Sequence, residues 1–184
     1  MNLFKTTALR AFYSIVVCLC LFLASCTNTP KGIDPVKNFE LPRYLGKWYE
    51  IARLDHSFER GLNQVTASYS MRDDGGVKVL NRGFNEETQS WKEAEGKAYF
   101  VKSPDIGHLK VSFFGPFYGA YIVFKLDQEN YQYAYVSSYN REYLWLLSRT
   151  ATISEERKQD FIQTVESLGF DKSQLIFVEH TVAK

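Results

Sequence analysis

Apolar and polar positions alternate through most of the chain after residue 40. In Val77-Lys78-Val79-Leu80-Asn81-Arg82-Gly83 the charges Lys78 and Arg82 share one phase, and in Glu93-Ala94-Glu95-Gly96-Lys97-Ala98 every charge does. A period of two is that of a strand with one wet and one dry face. Read this way, the chain holds strands over Lys47 to Arg53, Gln64 to Met71, Val77 to Phe84, Ser90 to Val101, His108 to Phe114, Tyr118 to Leu126, Tyr131 to Ser137 and Tyr143 to Arg149, with Leu41 to Leu45 a short turn before them. After Thr150 the period becomes helical. Ser154 is a favourable N-cap, Glu155 and Glu156 suit a first turn, Phe161, Ile162, Val165 and Leu168 fall on one face, and Gly169 can end the helix. A last strand, Leu175 to Val178, returns beside the first.

The connections carry turn chemistry. Asp73-Asp74-Gly75-Gly76 is a strong hairpin signal, because adjacent glycines accept the positive φ of a tight turn. Gly115-Pro116 and Asp127 to Asn130 also read as hairpins, Ser103-Pro104-Asp105 separates two more strands, and only the connection from Leu54 to Asn63 is long. About eight sequential strands joined in this manner make an all-β, up-and-down antiparallel barrel, since closure removes the exposed edges. In such a barrel the first and last strands are antiparallel neighbours. The start of one meets the end of the other, which brings Arg149 over the face of Trp48, with Gly46 turning the chain into its strand.

The N-terminal stretch follows a different logic. Lys5 and Arg10 precede an apolar run, Ala11 to Ala24, that is shorter than the roughly twenty residues of a spanning helix. Residues 1–25 therefore read as a signal peptide. Leu23-Ala24-Ser25-Cys26 resembles the lipobox of bacterial lipoproteins, which implies cleavage after Ser25 and acylation of Cys26; Thr27 at the next position favours the outer membrane. Cys18 and Cys20 leave with the signal, so no internal disulfide is available to the mature chain. Residues 26–40 are polar and broken by Pro30, Gly32 and Pro35, as expected of a tether, and residues 41–184 form the domain. With 22 basic and 21 acidic residues in the 184-residue chain, near-neutrality argues against a nucleic-acid partner.

Gly46-Lys47-Trp48-Tyr49-Glu50, taken with Arg149, resembles the signature of the lipocalins. Tyr69 to Gly76, Glu95-Gly96-Lys97-Ala98 and Leu109 to Phe117 resemble the bacterial outer-membrane lipoprotein branch of that family, which is also similar to apolipoprotein D. The resemblance implies an eight-stranded barrel with one C-terminal helix and a short final strand. It also implies a lipid, fatty acid or lysophospholipid, carried or stored in the lumen, and an outer-membrane location facing the periplasm; a homodimer is one arrangement open to it. No cofactor is implied.

Alternation selects the lumen. Val77, Val79, Asn81 and Gly83 are inward on the third strand, and Ala94, Gly96, Ala98 and Phe100 on the fourth, where the small side chains leave room for an acyl chain. Taking Lys110 and Lys125 as outward gives Leu109, Val111 and Phe113, then Ala120, Ile122 and Phe124, as lining; Tyr133, Tyr135, Tyr143 and Trp145 follow from strands apolar on both faces. The mouth opposite Trp48 gathers Phe58, Phe114, Phe117, Tyr118 and Tyr139, with Arg60, Arg141 and Lys92 as candidates to meet an anionic head group. The histidines His56, His108 and His180 have no metal-binding spacing, and no nucleophile-elbow, phosphate-loop or dinucleotide motif occurs, so a binding protein is expected rather than an enzyme. A lipocalin-fold enzyme acting on a lipid and a structural envelope protein with a filled barrel are the alternatives.

Overall fold

The computed structural model describes residues 27–181; Cys26 and the signal peptide expected before it lie outside the described residues. A one-turn helix, α1 (Leu41–Tyr44), leads into β1 (Gly46–Leu54), and seven strands follow: β2 (Leu62–Met71), β3 (Val77–Asn85), β4 (Ser90–Phe100), β5 (His108–Ser112), β6 (Gly119–Leu126), β7 (Tyr133–Ser137) and β8 (Leu144–Ser148). Helix α2 (Glu155–Ser167), a single 3-10 turn (Lys172–Gln174) and β9 (Leu175–Phe177) complete the domain. Each strand pairs antiparallel with the next, and β1 pairs with both β8 (Tyr49↔Ser148) and β2 (Trp48↔Ala67), which closes the barrel. β9 adds to the upper half of β1 (Ala52↔Phe177), beyond the point where β1 leaves β2.

Two expected boundaries move for local reasons. Tyr131 belongs to the turn and not to β7, because its φ of 56° and its bond to Asp127 O bring it back under the floor. β5 stops at Ser112, and Phe113 to Tyr118 form the loop at the mouth. The larger correction is the tether. Residues 27–38 lie as a strap along the barrel: Ile33 is 1% exposed, Val36 N donates to Val123 O, and Gly107 N donates to Val36 O.

Helix α2 begins as its sequence dictates, with Ser154 Oγ accepting from Arg157 N at 3.2 Å. It ends at Gly169 in the left-handed region (φ 79°), where Phe170 N reaches back to Val165 O. Its buried residues Phe161 and Val165 pack on the outer wall of the barrel among Ala120, Ile122, Tyr135, Leu144 and Leu146, with Phe124 and Tyr133 at the edge. Ala120, Ile122, Phe124, Tyr133 and Tyr135, expected in the lumen, therefore face the helix. Lys125 does point outward, to Asp160 at 2.8 Å, but a bulge between Val123 and Lys125 shifts the phase by one, so that counting back from Lys125 gives the wrong face. Tyr121 and Val123 take the inward positions instead.

At the floor, the Arg149 guanidinium lies 3.9 Å above the Trp48 ring. It also donates to the carbonyls of Lys47 (2.8 Å), Arg43 (2.7 Å), Leu45 (3.0 Å) and Tyr131 (3.3 Å). Gly46, at φ 91°, brings the chain beneath that group. Trp48→Ala is expected to destabilise by about 3–5 kcal/mol and Arg149→Ala by about 1–3 kcal/mol. The double variant in a denaturant cycle should show coupling of about 0.5 kcal/mol or more; strict additivity would mean that the stacked pair contributes nothing as a pair.

Candidate functional site

The lumen has an apolar lower half with a hydroxyl cluster at its base. Trp48 Nε1 donates to Tyr44 O at 2.8 Å, and the hydroxyls of Tyr44, Tyr121 and Tyr69 form a chain of 2.7 and 2.8 Å contacts. Burial raises the pKa of all three, so they act as neutral donors and acceptors. Above them Val79, Ala98, Leu109, Ala134, Val136 and Leu147 are buried against one another, with Val111, Phe113 and Phe100 half-buried beside them.

The small wall of β4 divides in two. At Gly96 an added Cβ would lie 2.9 Å from the Phe113 ring, so Phe113 occupies the space that the missing side chain leaves. Ala94, opposite Asn81 and in phase with Gly96 and Ala98, is exposed, as is all of β4 from Ser90 to Glu95, because β4 extends past its last pair with β5 at Lys97↔Ser112. Trp145 and Tyr143 stack at 6.2 Å across the opening, and Phe58 continues the stack at 6.0 Å from Tyr143. Phe58, Phe114 and Phe117 crowd the rim with their rings 58%, 82% and 70% exposed.

The two arginines expected at the head group are engaged elsewhere. Arg60 is bidentate to Asp55. Arg141 donates Nε to Leu168 O at 2.7 Å and Nη2 to Lys31 O, which satisfies the C-terminal end of α2. A cleft of about 350 Å³ beside Arg141, Tyr143, His56 and Asp171 lies at the rim and is distinct from the lumen. Lys92, inward in phase at the top of β4 and exposed, has no ion pair among the described residues.

A buried charged cluster inside the barrel escapes sequence reading. The loop after β1 folds inward and places His56 and Glu59 beside Glu50 and Arg53, all four less than 7% exposed. Arg53 Nη1 donates to Glu50 Oε1 at 2.7 Å and Nη2 to Glu59 O and Leu62 O; Trp145 Nε1 donates to Glu59 Oε2 at 3.1 Å, and His56 Nε2 lies 3.0 Å from the same oxygen. Desolvation, and then the adjacent Glu59 charge, hold Glu50 well above the usual carboxylate range. Glu59 moves down: its own desolvation opposes this, but His56, Trp145 and Arg53 together outweigh it. The ionised Glu59 thus balances Arg53 while Glu50 keeps its proton. Glu50 shares the phase of Trp48, which is the one sequence signal for it; Arg53 turns inward only because β1 is irregular between Glu50 and Ala52. No group of three or more His, Cys, Asp or Glu could hold a metal ion among the described residues.

Residues 39–180 match the model of the lipocalin-like domain. The chain is 58% identical to the outer membrane lipoprotein Blc of Vibrio cholerae over 93% of this chain and 99% of that protein. It is 51% identical to the protein of the same description in Escherichia coli, over 94% and 93%. Among solved structures, insecticyanin of the tobacco hornworm Manduca sexta superposes with a TM-score of 0.64 at 22% identity, covering 84% of this chain and 87% of that one, a likeness of fold.

The carboxyl pair fixes a pH dependence. Between the ordinary carboxyl range and the raised value of Glu50, the folded state holds a proton that the unfolded chain has lost, so this group removes stability as pH rises. Glu59, depressed when folded, adds stability above the ordinary range and loses it only as pH falls through its lowered value. Glu50→Gln keeps an acceptor for Arg53 and deletes the titration. Its melting temperature is expected to gain on wild type as pH rises above the ordinary carboxyl range; parallel profiles there would contradict the assignment.

Proposed function

The chain belongs to the lipocalin family, in its outer-membrane lipoprotein branch, and we propose that it binds a single-chain lipid in the upper barrel lumen while anchored by acylated Cys26 and facing the periplasm. The observation that carries this reading is Ala94: a strand residue aimed inward, yet exposed, above a floor sealed by Trp48 and three tyrosines. Asn81 stands opposite Ala94, and Val111, Phe113 and Trp145 are half-buried against the core below, which offers apolar and aromatic surface to one chain. Burying about fifteen methylenes at about 0.8 kcal/mol each gives about 12 kcal/mol, and association costs of at least about 4 kcal/mol leave roughly micromolar affinity.

The chemistry of the wall bears on the head group. Arg53 is already taken up by Glu50 and Glu59, so the upper lumen offers no free cation to a carboxylate drawn down to that level, and an anionic end stays at the rim on the side of Lys92. A lysophospholipid meets this condition, because its ester enters with the chain and its phosphate stays outside; a fatty acid meets it only with its carboxylate held at the mouth. The site thereby serves carriage or storage of single-chain lipids and needs no catalytic group.

Ala94→Trp is expected to weaken competition against a fluorescent fatty acid by about tenfold or more, equivalent to about 1.4 kcal/mol, with the fold unchanged by circular dichroism because the added ring enters open space. Unchanged affinity in the folded variant would place the ligand outside the lumen. Lys92→Gln should weaken a lysophosphatidic acid more than a monoacylglycerol of the same chain length; equal effects on the two would remove Lys92 from the head-group site.

A further inference from the structure

The N-terminal strap determines where a lipid anchor leaves the barrel. The Thr27 carbonyl accepts from His108 Nε2 at 2.8 Å, and His108, the first residue of β5, is only 5% exposed beneath it. The strap is held again at Lys31 by Arg141, at Ile33 by burial, and at Val36 by Val123 and Gly107. Thr27, the first described residue, is thus held against the outer wall at the start of β5.

The wall itself carries lysines and tyrosines side by side. Across the β4–β5 ladder, Lys97 stands opposite Ser112 and Tyr99 opposite Lys110. Lys110 Nζ lies 5.2 Å from the centre of the Tyr118 ring, and Tyr99 and Tyr118 are 6.3 Å apart. Among the described residues Lys97, Lys102 and Lys110 have no acidic partner within ion-pair distance. Basic residues on neighbouring strands are matched: Lys78 with Glu95 at 2.7 Å, Arg82 with Glu93 at 3.4 Å and Lys125 with Asp160 at 2.8 Å. Asp74 beside Tyr99 is itself held by Arg72, and Asp105 is the acid on the loop that carries Lys102. Helix α2 covers β6 to β8 and leaves this face bare.

We propose that the outer face of β4 and β5, with Lys97, Lys102 and Lys110 around Tyr99 and Tyr118, lies on the anionic phospholipid leaflet that holds the acylated N-terminus. Long lysine stems with tyrosine rings suit the head-group layer, where each has an apolar body and a polar tip. The attraction acts within a Debye length, roughly 8–10 Å, and the anchor keeps the wall inside that range. The barrel then rests on its side, with its mouth at the level of the membrane surface and open to the periplasm. This inference rests on the lipid-anchor reading of Cys26.

The test uses the acylated protein reconstituted into vesicles of phosphatidylcholine alone or with phosphatidylglycerol, followed by hydrogen–deuterium exchange. Detergent-phase partitioning first establishes acylation; a protein that stays in the aqueous phase overturns the anchor reading on which the proposal stands. In the partitioning protein, amides of β4 and β5 are expected to exchange several-fold more slowly on phosphatidylglycerol-containing vesicles than on phosphatidylcholine. The combined variant Lys97→Glu, Lys102→Glu, Lys110→Glu should lose that difference while remaining anchored and folded. Equal exchange of β4 and β5 on the two vesicle types, or slowing confined to the Phe58 and Phe114 loops at the mouth, would overturn the side-on arrangement.

Discussion

Arg149 joins segments that are remote in sequence: the entry to the first strand, the one-turn helix before it, and the turn that precedes β7. Its charge is spread over four backbone carbonyls, and its flat face covers Trp48, which is fully buried. Only a planar, multi-donor cation satisfies this geometry, so lysine would not replace it. With that end sealed, the rest of the barrel need not fill its own interior. The tyrosine chain above Trp48 completes the floor, and the strands above it are free to leave space.

The interior is also not uniformly oily. Isolated buried charges are costly, and Glu50, Arg53 and Glu59 reach a tolerable state by sharing one proton and two opposite charges among themselves. The loop that carries His56 and Glu59 is held inward by the same contacts, under the stacked Phe58 ring at 3.9 Å. Stability of one wall and shape of the mouth thus depend on a single cluster, which links the ionisation of the lumen to the opening a ligand must pass.

The strands, their order and the closing contact at Trp48 are legible in the sequence because alternation and turn residues act locally. What failed did so where a longer-range constraint intervened. Ile122, Phe124, Tyr133 and Tyr135 are apolar, but α2 supplies a second dry surface outside the barrel; a bulge near Lys125 reverses the phase used to sort Ile122 and Phe124, and β7 is apolar on both faces, which leaves Tyr133 and Tyr135 unsorted. Arg141 has the charge for a head group yet closes a helix end that no local pattern reveals. The strap over residues 27–38 has a polar, broken composition like a linker, and only the burial of Ile33 and its backbone ladder to Val123 and Gly107 distinguish it. Arg53 and Glu59 are ordinary surface residues by type; a β1 irregularity and an inward loop make them interior.

The most direct measurement is native mass spectrometry of the acylated protein released from its own envelope in mild detergent, with gentle activation to separate covalent from bound lipid. The expected spectrum contains a population heavier than the acylated chain by one single-chain lipid, lost intact on activation. Bare protein alone, a two-chain lipid, or a chemically altered lipid product would contradict a lumen built to hold one acyl chain unchanged.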